Sequence, residues 1–315
     1  MPQPMHYQRR DRGSPSIGLS SVALWGWPLP LADRVRVLAE GGVRLLELDL
    51  AEWYTSPDFG SILSRAMRAA EDAGVQISSF HLPSSLDVST PTQADRKTAV
   101  EAMSSVLDAV QSCVETYGVS YLVLHPGGPL KAYTEDEYAE RTAYCLESVF
   151  QLLRHATLGA TKLALENTLS AHYGGRPTDL SRCLEALPSE RVGVCIDCSH
   201  ALFDYSVPSF LQAFPTRVLG YHLSENERPA KWDLHAMPYT LSKSGVDWEA
   251  FWRDVVQLHL PRLAVCEVFA SDKSDVESFL VGFREARACL LKAYKAARRS
   301  IAALDAPLAE SSRLF

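Results

Sequence analysis

Eight short runs rich in apolar and β-branched residues alternate with eight longer amphipathic segments along this chain. No other feature of the sequence restricts the fold as much. The apolar runs cover residues 16–24, 43–49, 76–81, 120–125, 162–167, 192–197, 218–223 and 262–268. Runs apolar on both faces mark buried, parallel strands. Segments 31–41, 60–73, 93–117, 134–156, 178–187, 206–214, 247–259 and 275–303 carry helical spacing, and several open on capping residues. Thr134 stands before Glu137, Thr178 before Asp179, and Asp247 before the run from Trp248 to Trp252. Strict strand–helix alternation with no linker predicts one α/β domain over residues 15–303, and eight such units match a (β/α)8 TIM barrel. Residues 1–14, polar and carrying Arg9, Arg10 and Arg12, read as a flexible arm, and residues 304–315 as a flexible tail. A doubly wound open sheet is the competing architecture, and the strand endings decide against it.

Those endings carry the chemistry. His81 closes the third run, His125 the fourth, Asp197 the sixth, while Glu166, His222 and Glu267 stand one residue before the ends of the fifth, seventh and eighth. His200 follows three residues after Asp197, and Asp233 and His235 lie in the loop after the seventh run. Five of the nine histidines therefore fall at or just past strand C-termini, the face on which barrels of this type build active sites. Strand parity agrees. Glu166 shares a face with Ala164, Asp197 with Cys195 and Gly193, and Glu267 with Val265, so small or branched residues lie below each carboxylate. Buried acids are costly unless paired or coordinated, so four carboxylates and several imidazoles facing one cavity imply a bound cation.

Composition narrows the partners. Lys and Arg number 31 against 38 Asp and Glu, a net charge of −7, which gives no support to a nucleic-acid backbone as partner. No run of 18 apolar residues is present to span a membrane. Seven scattered cysteines suggest a reducing, cytoplasmic setting, and the Cys195-x-x-Cys198 pair crosses a strand end instead of opening a helix, unlike a redox motif.

With these residues in place, the chain resembles the xylose-isomerase-like barrel superfamily, which holds sugar and sugar-phosphate isomerases and epimerases and the barrel-type apurinic endonucleases. The resemblance runs from about residue 16 to 290. "SSFHLP", "LVLHPGG", "LALENT", "VCIDCSHA", "YHLSENER", "WDLH", "GVDW" and "LAVCEVF" carry it, in order. In the isomerase and epimerase branch, the resemblance implies one divalent ion held by Glu166, Asp197, His222 and Glu267. Mn2+ is expected first, with Mg2+, Co2+ or Zn2+ as alternatives. It further implies that Glu166 and Glu267 transfer a proton through an enediolate of a sugar, sugar phosphate or related polyol. His200 and Arg228 match substrate-contacting positions, and His81 and His125 are expected to line the substrate pocket. In the endonuclease branch the same resemblance implies a multi-zinc phosphodiesterase, with His81, His125, His200, Asp233 and His235 as additional metal ligands. A dehydratase or lyase on the same scaffold is a third outcome.

Some stretches depart from the family patterns. "NTLSAHYGG" after Glu166 is closer to the endonuclease style, with His172 where epimerases place a carboxylate, and the loop after the D-x-H lacks the usual Pro-Gly-x-Gly. Lys243 in that loop reads as a solvated lysine or a phosphate contact. Trp25, Trp53 and Phe80 are candidates for stacking on a sugar face. Family members commonly form homo-oligomers through barrel helices, and the long last helix, with Leu280, Phe283, Leu290 and Leu291, is suited to packing or pairing.

Overall fold

The computed structural model describes residues 13–227, 232–270 and 275–305 of the 315-residue chain. Its strands are β1 Ser16–Ser20, β2 Leu45–Asp49, β3 Gln76–His81, β4 Tyr121–Leu124, β5 Lys162–Glu166, β6 Val192–Asp197, β7 Val218–His222 and β8 Leu263–Cys266. They follow one another in sequence order around a closed barrel, every pair parallel, with β8 returning to β1. The eight helices are α1 Leu31–Glu40, α2 Phe59–Asp72, α3 Gln93–Tyr117, α4 Glu135–His155, α5 Pro177–Ala186, α6 Val207–Ala213, α7 Trp248–Gln257 and α8 Val276–Asp305. This is the expected (β/α)8 TIM barrel. Apart from Gly13, Ser14 and the end of α8, the expected arm and tail lie outside the described residues.

Two of the three anticipated caps are formed. The Thr134 hydroxyl accepts the Glu137 amide at 3.2 Å, and the Asp247 carboxylate accepts the amides of Glu249 and Ala250. Thr178 is not a cap. Pro177 already opens α5, since its fixed φ suits a first helical position, and the buried Asp179 instead accepts from the Arg176 guanidinium at 2.8 Å. The first run bends away after Ser20 into a 3-10 turn, Ser21–Leu24.

The core has two parts. Outward faces of the strands pack against the helices in one large cluster, whereas Tyr121, Val123, Ala164, Cys195 and Leu263 form a small cluster inside the barrel. Cys195 thus belongs to the inner cluster and Cys198 to the outer one. Two strands each carry one extra residue. Leu46 pairs with Ile77, but the next residue, Glu47, pairs with Ser79, so Ser78 is a bulge whose hydroxyl donates to the Leu46 carbonyl. On the far side Val194 pairs with Val218 and Cys195 with Gly220, which makes Leu219 the extra residue of β7. Counting by twos from Gln76 or from Val218 without these bulges would turn His81 and His222 onto the opposite faces. Gly220 is required where it stands, because a Cβ there would lie 2.2 Å from the Tyr121 hydroxyl.

The packing of α7 on α8 is aromatic. Trp252 is wholly buried between Phe251 and Tyr294, with ring centroids 4.8 and 5.6 Å away. Trp252→Ala is expected to cost about 3–5 kcal/mol, because these neighbours cannot collapse into an indole-sized cavity. A chemical denaturation midpoint unchanged from wild type would contradict this. Among the described residues, no helix is long and apolar enough to cross a membrane.

Candidate metal centre

The strand ends converge as the sequence indicates. Glu166 closes β5, Asp197 β6 and His222 β7, with Glu267 one residue beyond β8, and donor atoms of these four lie within 4.8 Å of one another. His222 Nδ1 is 2.8 Å from Glu166 Oε1 and 3.0 Å from Glu267 Oε2. Glu166 Oε2 faces the other way, to His81 Nε2 and His125 Nε2, each at 3.1 Å. A separate group stands beside these. Asp233 lies 3.3 Å from His200 Nε2 and 3.1 Å from His235 Nε2, and the two Nε2 atoms are 3.2 Å apart.

The surroundings fix the orientation of these groups. His81 Nδ1 donates to the Leu82 carbonyl, His200 Nδ1 to that of Asn167 and His235 Nδ1 to that of Glu267, which aims each Nε2 into the site. Asn167 pins Asp197 by exchanging two hydrogen bonds with its main chain at 2.8 and 2.9 Å. Asp197 Oδ1 accepts the His200 amide, while its Oδ2 is buried with no hydrogen-bond partner.

The centre has a strong demand for positive charge. Burial works against ionised Glu166, but the rings of His222 and His125 hold its carboxyl well below the usual range. Burial likewise opposes ionised Glu267, yet chiefly His222 holds it at about 2. The imidazoles answer in kind. Burial would lower His81, but Glu166 and its acidic neighbours push it up to about 10, and His235 rises to about 9 through Asp233 and Asp197. Protons on the rings occupy the role that a cation would fill. The residues fit a divalent ion: Asp197 Oδ2 is an orphaned buried oxygen, and three carboxylates with one imidazole form a hard, oxygen-rich set.

Above the centre lies a cavity of about 310 Å³. His81, His125, His200, Asp233, His235 and Glu267 reach its wall, and Val22, Trp25, Asp49, Ser84 and Phe269 complete it. Glu166 and Asp197 are wholly buried below. Of the aromatic candidates, Trp25 lines the cavity, Trp53 lies partly buried under the Arg34 guanidinium and Phe80 is turned outward into the helix-facing core. Lys243 is exposed in a turn. His172 is half-buried in a loop whose main chain bridges to Pro129. Arg228 lies outside the described residues. Its neighbours in "SENER" tie the loop down: buried Glu225 accepts the amides of Tyr239 and Leu241 and the Trp248 indole N–H, and Asn226 holds the Trp232 carbonyl.

Two acids on β2 escaped the sequence reading. Asp49 closes β2 and reaches the cavity, and burial pushes its carboxyl up to about 7 against the pull of His81. Glu47 is wholly buried two residues earlier. The strand-end logic that found the other residues applies to Asp49 as well, and an acid within "LELDL" at the same parity points to Glu47.

Comparison with known proteins agrees with this architecture. The family model described as xylose isomerase-like TIM barrel matches residues 35–295. Among solved structures, a D-tagatose 3-epimerase-like protein superposes with a TM-score of 0.72 at 16% identity, covering 90% of this chain and 99% of its own. The IOLI protein with a bound zinc atom superposes at 0.69 with 13% identity, covering 88% of this chain and 98% of its own. At such identities the likeness is one of fold. Among curated sequences, "Probable endonuclease 4" of Campylobacter concisus is 26% identical over 110 residues, and that stretch spans 34% of this chain and 37% of the relative.

Proposed function

Because the chain belongs to the xylose isomerase-like TIM barrel family, we propose that it is a divalent-metal-dependent isomerase or epimerase of a small sugar-like carbonyl compound. The observation that carries this reading is the cavity: about 310 Å³, walled by Trp25 and Phe269, and standing over a four-residue cation group. That volume is at the scale of small-molecule sites. A wall that mixes Asp49, Asp233 and Glu267 with four imidazoles offers donors and acceptors to a substrate rich in hydroxyls. The solved structures named above as a 3-epimerase-like protein and a zinc-bound barrel support it.

Glu166, Asp197, His222 and Glu267 would hold the ion, Mn2+ first among the divalent candidates. Bound there, it supplies Lewis acidity that polarises a carbonyl and offsets charge developing as the adjoining carbon loses a proton. The chain's own groups do the rest. Glu267 reaches the cavity wall with Oε1, the oxygen not turned to His222, and takes the proton. Glu166, completing the carboxylate pair from the β5 side, gives a proton back to the carbon in exchange for the one Glu267 keeps, and the pair resets by exchange with solvent between turnovers. His200, His81, His125 and Arg228 contact substrate oxygens, and Asp49 accepts a hydroxyl beside His81. Trp25 offers an apolar face to the carbon skeleton and excludes water.

A specific observation favours a second reading. The Nε2 atoms of His81 and His125 on Glu166 Oε2, and the His200–Asp233–His235 group, offer places for two further ions. Three ions would suit in-line phosphodiester hydrolysis. Elemental analysis of protein purified without chelator separates the two: about one equivalent of manganese, magnesium or cobalt is the expected result, and two to three of zinc would favour the hydrolase. Incubation with ketoses and aldoses in D2O is the functional counterpart. Deuterium entering the carbon next to the carbonyl is expected, whereas cleavage of abasic duplex DNA with no exchange into any sugar would overturn the isomerase reading.

A further inference from the structure

One histidine of the centre is turned round. His81, His200 and His235 each give Nδ1–H to a main-chain carbonyl, at 2.8, 2.9 and 3.1 Å, and present Nε2 to the site. His222 does the reverse. Its Nδ1 faces the Glu166 and Glu267 carboxylates, and its Nε2 points down the barrel to Glu47 at 3.3 Å. Carbonyl oxygens orient three rings, and a carboxylate orients the fourth.

The fold arranges for that carboxylate in detail. Glu47 sits in the middle of β2, wholly buried, where an ionised side chain is costly without partners. Its Oε2 accepts the Ser79 hydroxyl at 2.7 Å, and its Oε1 has no hydrogen-bond partner. Ser79 faces Glu47 because the Ser78 bulge shifts the upper half of β3 by one residue. Around this pair the barrel interior is narrow and mostly apolar, with Val123, Ala164 and Cys195 nearby in the inner cluster. Neither the four-residue group nor the two histidine groups includes Glu47.

We propose that Glu47 is a positioning residue for the cation: it accepts the Nε2–H of His222, fixes that ring in the Nε2–H tautomer, and so leaves the Nδ1 lone pair facing the ligand set. A carboxylate behind a ligating imidazole also strengthens the ring as a donor through its charge. A neutral His222 free to choose would place its hydrogen on Nδ1, between two glutamates at 2.8 and 3.0 Å, and would then be unable to bind an ion. Glu47 removes that choice. The assignment rests on reading the strand-end cluster as a metal site, and it adds a residue that touches neither substrate nor ion.

The test compares Glu47→Gln, Glu47→Leu and Ser79→Ala with wild type. Mn2+ and Zn2+ affinity is read by competition with a chelating dye, and the His222 tautomer by 15N chemical shifts of metal-free, histidine-labelled protein brought to a pH at which that ring is neutral. Glu47→Gln keeps an acceptor oxygen but loses the charge, so affinity should fall about 10-fold with the Nε2–H tautomer kept. Glu47→Leu loses both, so affinity should fall about 100-fold and the His222 signals should move toward the Nδ1–H form, with His200 and His235 unshifted. Ser79→Ala leaves Glu47 facing His222 and should stay within about threefold of wild type, which a merely structural hydrogen-bond pair would not predict. Wild-type affinity in Glu47→Gln, or an unmoved His222 spectrum in folded Glu47→Leu, would overturn the proposal. If Glu47→Leu does not fold, Glu47→Gln alone decides. Should wild type bind no cation, the metal reading fails; the tautomer in metal-free wild type still decides the orienting role, with an Nδ1–H His222 overturning it.

Discussion

Glu166→Gln should lower turnover by about 10³-fold or more while leaving the barrel folded. The carboxylate stands at a junction: Oε1 meets His222, and Oε2 meets both His81 and His125. An amide in its place carries no charge and presents an N–H2 to nitrogen atoms that need an acceptor or an ion. Loss of a proton-transfer group alone accounts for about 10²–10⁴ in rate, and loss of a charged ligand adds to it. Glu267→Gln should behave alike, since its oxygen shares His222 Nδ1 with Glu166. Both substitutions lie above the inner apolar cluster, so thermal melts should stay close to wild type when each protein is free of metal. Near wild-type turnover by either variant on an identified substrate would show that the proton passes elsewhere. His81→Ala sorts the readings further, being mild for a one-ion isomerase and severe for a three-ion cluster.

Stripping the metal should lower the melting temperature by about 6 °C. Free ion at a thousand times its dissociation constant stabilises the native state by about 4 kcal/mol. For a chain of 315 residues each kcal/mol moves the midpoint by about 1.5 °C. The source of the effect is visible in the charges, because Glu47, Glu166, Asp197 and Glu267 are all buried and crowd one end of the barrel. Dialysis against a strong chelator, a calorimetric scan, and a second scan after returning Mn2+ make the measurement. A midpoint indifferent to both steps would mean that ring protonation alone balances the carboxylates.

Much of this was legible in the chain because barrels write their active face at strand ends. His81, His125, Glu166, Asp197, His222 and Glu267 were found by position, and Asp233 and His235 by the loop that follows β7. Parity correctly placed Glu166, Asp197 and Glu267, whose strands run without an extra residue. It would have failed for His81 and His222, because a bulge is a property of paired strands and leaves no mark in the hydrophobic pattern. Glu47 was missed for a related reason: an isolated acid in an apolar run gains meaning only when the strand opposite supplies Ser79 and His222. Phe80 was misjudged by proximity, being next to His81 and therefore on the other face of the strand. The Thr178 cap failed because Pro177 had already set the helix start. Arg228 of "SENER" lies outside the described residues, while Glu225 and Asn226 of the same stretch fasten the loop, a role that side-chain identity alone does not reveal.

The bulges at Ser78 and Leu219 make the barrel modular along its own axis. Below each one the strand keeps the inside–outside order that packs the floor; above it the order is inverted, and a histidine enters the lumen. Floor and rim can therefore change independently, as two storeys joined by a half-step in the staircase. A single-residue deletion at either position would leave the hydrophobic composition almost untouched and yet turn a ligand out of the chamber. Transplanting this rim onto another eight-stranded scaffold would require moving the half-steps together with the side chains, since the same nine residues on evenly paired strands would present two of their imidazoles to the helices.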